Sequence, residues 1–209
     1  MKKLRVALLG FGGIARSHYA AYLALEKEGF PISLVAICDR DAAQFSSSIA
    51  FNLGNEQTTL RADIHTYTDI DELLANEDFD AADICLPTFL HKDITVKLLA
   101  AGKHVLCEKP MSLSSGECEE MLAAAKAAER CLMIGQCLRF DDSYRYLKQC
   151  IESGIYGKLR MLSMHRYSTF PRWGNSKWFE TLEKSGGCII DTHIHDIDMA
   201  RFLLGWCYS

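Results

Sequence analysis

The chain of 209 residues carries a net charge of −4, with 49% apolar and 24% charged side chains; that is the balance of a globular protein able to bury a substantial core. This charge gives no reason to expect nucleic acid or an anionic membrane as partner, and no apolar run reaches the roughly 18 residues of a membrane span. Nine cysteines fall in no CxxC or metal-ligand spacing, and free thiols in that number point to a reducing compartment, the cytoplasm.

The start, MKKLRVALLGFGGIA, has the charged-then-apolar look of a secretory signal. Its glycine spacing and the lack of a small-residue cleavage site make it instead a first strand, LRVALLG (4–10). A helix is expected over Ile14–Glu28, then a strand in ISLVAICD (32–39) and another in AADICLP (81–87). HKDITVKLLAAG reads as a helix stopped at Gly102, KHVLCEKP (103–110) as a strand, SSGECEEMLAAAKAAER (114–130) as an amphipathic helix and CLMIGQ (131–136) as a last strand. Cys38, Cys85 and Cys107 lie in or at the ends of these runs and serve as small hydrophobes. Short buried strands alternating with helices mean a doubly wound parallel sheet, a Rossmann-type α/β domain over 1–137.

The texture changes after that point. FDDSYRYLKQCIESG is a polar-faced helix ending at Gly154, KLRMLSMHRYS (158–168) alternates like a half-exposed strand, and FPRWGNSKWFE is aromatic loop. Residues 138–209 are therefore expected to begin a second, α+β domain.

Two features carry chemistry. Gly10-x-Gly12-x-x-Ala15 stands where a strand turns into a helix. The first glycine permits the tight turn, the second lets the backbone approach a pyrophosphate, and the small third residue lets helix and strand pack closely. Gly10, Phe11, Gly12, Gly13 and Ile14 form this turn, and Asp39 ends the second strand, where a carboxylate can bond both ribose hydroxyls and would repel a 2′-phosphate. NAD is the expected cofactor. Arg40, able to stack on adenine or to compensate a phosphate, keeps NADP open.

The second feature is GGCIIDTHIHDID (186–198). Read as a strand, His193 and His195 share a face and could collect a metal, making a hydrolase. Read as a helix, Asp191 and His195 share a face, Asp198 joins them and His193 points away. Ile190, Ile194, Ile197 and Leu204 then form an apolar stripe, which favours one helix over 188–204 and no metal site.

Together with GFGGIA and the acidic end of the second strand, the motifs CLPTFLHKDITVKLLAAGKHVLCEKP and GGCIIDTHIHDIDMARFLLG resemble those of the Gfo/Idh/MocA oxidoreductases, which include inositol and sugar dehydrogenases. The resemblance implies hydride transfer between a secondary hydroxyl of a sugar, polyol or inositol and nicotinamide. It assigns the reacting centre to Lys109, Asp191 and His195: His195 as general base, Asp191 holding substrate or biasing the imidazole, Lys109 polarising the oxygen. It runs Leu86, Pro87, Thr88 and His91 along the cofactor, with Glu108 and Pro110 framing Lys109. Arg139 corresponds to a position near the pocket in some relatives, or makes a surface salt bridge; Trp173 and Trp178 wall the pocket or fill the second domain's core. Members of the family usually continue into a large, mostly antiparallel sheet carrying the oligomer interface, so a full-length form is expected to be a homo-oligomer. A nucleotide-binding module without turnover, or an inactive fragment, is the alternative.

Overall fold

A computed structural model describes residues 2–46, 60–167 and 177–205. Leu4–Leu9 (β1) runs straight into the glycine turn and Gly13–Lys27 (α1); Ile32–Cys38 (β2), His65–Tyr67 (β3), Ile70–Asn76 (α2) and Ala81–Ile84 (β4) follow. His91–Ala100 (α3), His104–Cys107 (β5), Ser115–Ala128 (α4) and Leu132–Ile134 (β6) complete the sheet domain. All six strands are parallel, in the order β3-β2-β1-β4-β5-β6. β3 is three residues long, too short to announce itself by alternation.

Alternation along the strands divides the core in two. Val6, Leu8, Leu34 and Ile37 face Phe11, Ala15 and Tyr19, while Ala7, Leu9, Ala82, Ile84, Val105 and Cys107 face Leu73, Leu98, Leu99 and Met121. Helix α1 thus covers one face and α2, α3 and α4 the other, so the central strands read as nearly continuous apolar runs. Register places Leu9 beside both Cys38 and Ile84, and Ile84 beside Cys107. The segments after these strands, beginning at Gly10, Asp39, Cys85 and Glu108, therefore emerge along one edge. Strand order reverses between β1 and β4, and the crevice outside the carboxyl ends at such a switch point is where open α/β sheets take ligands.

Beyond the sheet come Asp142–Ser153 (α5), Leu182–Ser185 (α6), Gly187–Asp191 (α7) and Ile194–Leu204 (α8). Gly154 closes α5 in the left-handed conformation. Three expectations are corrected here. The strand expected over 158–168 is not formed in its described part: residues 158–167 pair with no strand among the described residues, and their side-chain alternation finds no ladder there.

The single helix over 188–204 is broken at Thr192–His193. His193 N–H reaches back to the Cys188 carbonyl, five residues earlier, at 2.9 Å, and α8 restarts with Asp196 in its first turn. β-branched Ile189, Ile190, Thr192 and Ile194 weaken helix propensity at this corner, and an acid in a first turn favours a new start. Finally, the expected stripe is not the buried face. Met199 and Leu203 are buried, while Ile197 and Leu204 are 42% and 47% exposed.

Candidate active site

The glycine turn is shaped by its surroundings. Gly10 has φ +88°, and a Cβ there would lie 2.5 Å from the Cys85 carbonyl oxygen, so only glycine lets β1 turn this close to β4. A Cβ on Gly12 would meet nothing, leaving open space over the N-terminus of α1, which no side chain caps and whose first turn holds no acid. Such an end is suited to phosphate oxygens. Gly13 begins α1 and Ala15, fully buried, lets helix and sheet close up. Ile14 stands 40% exposed beside the turn. Phe11 is different: its ring is buried against Tyr19 and its amide donates to Asp39 Oδ2 at 2.7 Å, so its part is internal.

Asp39 accepts a second amide, from Asp41, at 2.9 Å on its other oxygen. The two bonds fix the carboxylate at the end of β2 and leave it acceptor capacity for a ribose. Arg40 is exposed. These features fit a dinucleotide.

Leu86 and Pro87 line the edge beside the turn, and Thr88 is buried. His91 is 1% exposed and does not face the crevice. Its ring nitrogens lie 2.8 Å from the Pro110 carbonyl and 2.8 Å from the Leu86 carbonyl, tying the loop after β4 to the loop after β5. Burial holds its pKa below the ordinary value.

The loop after β5 carries Glu108, Lys109 and buried Pro110. Lys109 Nζ donates to the Asp191 carbonyl at 2.8 Å and lies 3.5 Å from its carboxylate, 82 residues away in sequence. Asp191 ends α7, which Gly186 and Gly187 set in place, both at positive φ; a Cβ on Gly186 would lie 2.6 Å from Ile190. His195, in the first turn of α8, is partly buried. Its Nδ1 is buried without a partner among the described residues. Burial, then the charges of Lys109 and Arg166, hold its pKa below the ordinary 6.5, so the ring is neutral at pH 7. Lys109, Asp191 and His195 are thus gathered from two parts of the chain. A lysine cation beside a neutral imidazole can stabilise an oxyanion and accept a proton.

His193 turns away, its Nδ1 3.1 Å from Asp196. Arg139 makes a two-pronged salt bridge to Asp198 at 2.6 and 2.7 Å. Trp178 stacks on Phe179, and Trp173 lies outside the described residues.

With this geometry in place, comparison with known proteins decides the family. Residues 4–136 match the GFO/IDH/MocA oxidoreductase family model, described as an NAD-binding Rossmann fold, and residues 144–207 match a C-terminal domain model of the same family. The chain belongs to this family. It is 31% identical over 98% of its length to a 2,7-anhydro-N-acetylneuraminate hydratase of Mediterraneibacter gnavus, covering 50% of that protein. It is 32% identical over 97% of its length to the inositol 2-dehydrogenase of Rhizobium meliloti, covering 55% of that enzyme. Among solved structures, the WlbA dehydrogenase of Bordetella pertussis, in complex with NADH and UDP-GlcNAcA, superposes with a TM-score of 0.85 at 25% identity, over 98% of this chain and 56% of that one. The chain therefore spans about half the length of these relatives. As a GFO/IDH/MocA oxidoreductase it is an NAD-binding protein, related to sugar and inositol dehydrogenases. Among the described residues, no helix is long and apolar enough to cross a membrane.

Sequence reading overlooked two groups of this GFO/IDH/MocA chain. Arg166 grips the buried carboxylate of Asp196 with two bonds of 2.8 Å and places a second cation near His195. The other group lies under the crevice: His18 Nδ1 is 2.8 Å from Asp83, His18 Nε2 is 3.2 Å from Glu108, and Tyr22 donates to Asp83 at 2.9 Å. The signal was a charge, Asp83, inside an otherwise apolar strand, since a buried carboxylate needs partners.

Proposed function

We propose that the protein is an NAD-dependent dehydrogenase that oxidises a secondary hydroxyl of a sugar, polyol or inositol, with Lys109, Asp191 and His195 at the reacting carbon. The observation that carries this reading is the convergence of Lys109 on Asp191 at 2.8 Å, with His195 neutral and its Nδ1 unpartnered in the next turn of chain. NAD, when bound, would supply the acceptor for the hydride of the carbinol carbon. His195 accepts the hydroxyl proton, for which a neutral imidazole is needed. The Lys109 ammonium stabilises the alkoxide as it forms, and the Asp191 carbonyl and carboxylate hold that ammonium in place. Gly10, Gly12, Gly13 and Ile14 shape the pyrophosphate seat, Asp39 takes the ribose, and Leu86, Pro87 and Glu108 border the cofactor. Residues 138–209 begin the domain that completes the substrate pocket, and the full-length protein is a homo-oligomer. Eight cysteines, all unpaired among the described residues, support a cytoplasmic setting.

The test is a panel of polyols, inositols, hexoses and sugar acids with NAD, following reduced cofactor. Reduced cofactor accumulating with one class supports the reading. NAD binding with no change in any substrate identifies a nucleotide-binding module without turnover. The hydratase among the relatives favours one further reading, in which a sugar is consumed and no reduced cofactor accumulates; product analysis separates it.

A further inference from the structure

We infer that His18 is a positioning residue for Lys109, acting as an imidazolium that bridges Asp83 and Glu108 and so ties the dinucleotide-binding helix to the turn from which Lys109 reaches the reacting centre. The inference rests on the role proposed above for Lys109.

Alternation supplies the placement. Asp83 is flanked in β4 by Ala82 and Ile84, which belong to the opposite core face, so its carboxylate points toward α1. His18 and Tyr22 are one turn apart on α1 and both meet it, at 2.8 and 2.9 Å. The Cys85 thiol lies 3.8 Å from the other carboxylate oxygen. The far ring nitrogen of His18 meets Glu108 Oε1, and Glu108 Oε2 accepts the backbone N–H of Lys109 at 3.1 Å. Gly135, after β6, makes room for this carboxylate: a Cβ there would come within 3.1 Å of Oε1.

Carboxylates on both ring nitrogens call for two N–H donors. Burial opposes the charged ring, but the bonds to Asp83 and Glu108 outweigh it and raise the His18 pKa far above 6.5. Burial raises the Tyr22 pKa and pushes the Cys85 thiol up to about 12, so both stay neutral donors. A cation between two buried carboxylates is the arrangement in which losing one member leaves the others uncompensated. Here the member lost would be the one that steadies the Lys109 turn.

His18, Asp83 and Cys85 also bring ligand atoms within 4.8 Å of one another, as a metal site would. The 2.8 Å from His18 to Asp83 is a hydrogen-bond separation, shorter than the about 3.3 Å between two ligands of a tetrahedral zinc.

The experiment uses the full protein, reductively methylated with 13C so that the Nζ of Lys109, assigned through Lys109→Arg, has its own resonance. We expect His18→Ala to shift that resonance and cut kcat on the substrate found in the panel by about 10- to 100-fold. NAD affinity should stay within about threefold and the thermal transition should remain cooperative. Added imidazole should restore both signals in part. Glu108→Gln, which keeps the side-chain shape, should shift the resonance likewise and serves if His18→Ala does not fold. An unmoved Lys109 resonance in a folded variant, or a loss of NAD affinity equal to the loss of kcat, overturns the inference. So does stoichiometric zinc that disappears with His18. Unimpaired turnover in Lys109→Ala would instead overturn the proposed reacting centre itself.

Discussion

Among the described residues, every buried apolar side chain except Met199 and Leu203 belongs to the sheet domain. The helices that follow the sheet leave Ile155, Tyr156, Met161 and Ile189 between 69% and 81% exposed, and their fixed points are polar. Arg139 grips Asp198, Arg166 grips Asp196, Lys148 donates to the Phe202 carbonyl, and Lys109 reaches Asp191. The sheet is held by burial, which is insensitive to direction; the corner with Asp191 and His195 is held by directional bonds to particular partners. The comparison teaches that the two halves of the proposed reacting centre differ in kind. Lys109 stands on a scaffold that would persist without it, whereas Asp191 and His195 keep their places through a few charged links.

The strongest way to break this comparison is to attack the sheet. Ile84→Ala, at a fully buried position between β1 and β5, should cost about 2–5 kcal/mol of stability. Denaturant unfolding should show it, with NAD binding lost along the same transition. Lys109→Ala should leave stability and NAD affinity near wild type and lower kcat about 100- to 1,000-fold, read by steady-state assay and calorimetric titration. Equal loss of affinity would mean that Lys109 serves the cofactor rather than the reacting oxygen.

Arg166→Ala leaves the buried Asp196 carboxylate with His193 alone, at a local cost of about 1–3 kcal/mol. Limited proteolysis after residue 154 should quicken while NAD binding persists; unchanged cleavage would show that apolar contacts hold the corner after all. Asp39→Asn keeps an acceptor for the Phe11 amide and removes the charge, so the preference for NAD over NADP should narrow by about tenfold. A wild-type preference for NADP would refute the ribose assignment.

The smallest effect is one of pH. His195 must be neutral to accept a proton, so kcat/KM should fall as pH drops through its pKa. Because burial and its cationic neighbours hold that pKa below 6.5, the fall should lie on the acid side of 6.5 and vanish in His195→Asn. An acid limb at or above 6.5 would show that the imidazole is not so surrounded in solution.

Much of the sheet domain was legible because its evidence is local. The runs at 4–10 and 32–39 became β1 and β2 nearly residue for residue, and helices expected over 14–28 and 114–130 became α1 and α4. The glycine turn was legible because only glycine can hold φ +88° against the Cys85 carbonyl. The corner was legible in content and not in form. Residues 188–204 read as one helix from their apolar spacing; the β-branched run weakens it at Thr192–His193, and Arg166, 30 residues away, meets the Asp196 that opens the new helix, a contact no local pattern displays. KLRMLSMHRYS alternates as a strand would, yet alternation records two faces and cannot provide a neighbour.

By itself, then, the sequence determined the parallel α/β architecture and the glycine turn, since periodicity and backbone restriction act over a few residues, while Lys109, Asp191 and His195 came forward only through the family resemblance of their motifs. Tertiary structure alone decided that His91 bolts two loops together beneath the crevice, that Arg139 is taken up by Asp198, and that His18, Asp83 and Glu108 share one buried cluster. The last two turn on which charges meet across 59 to 90 residues of chain, and the energy of such a meeting depends on burial and distance, quantities that exist only once the chain has folded.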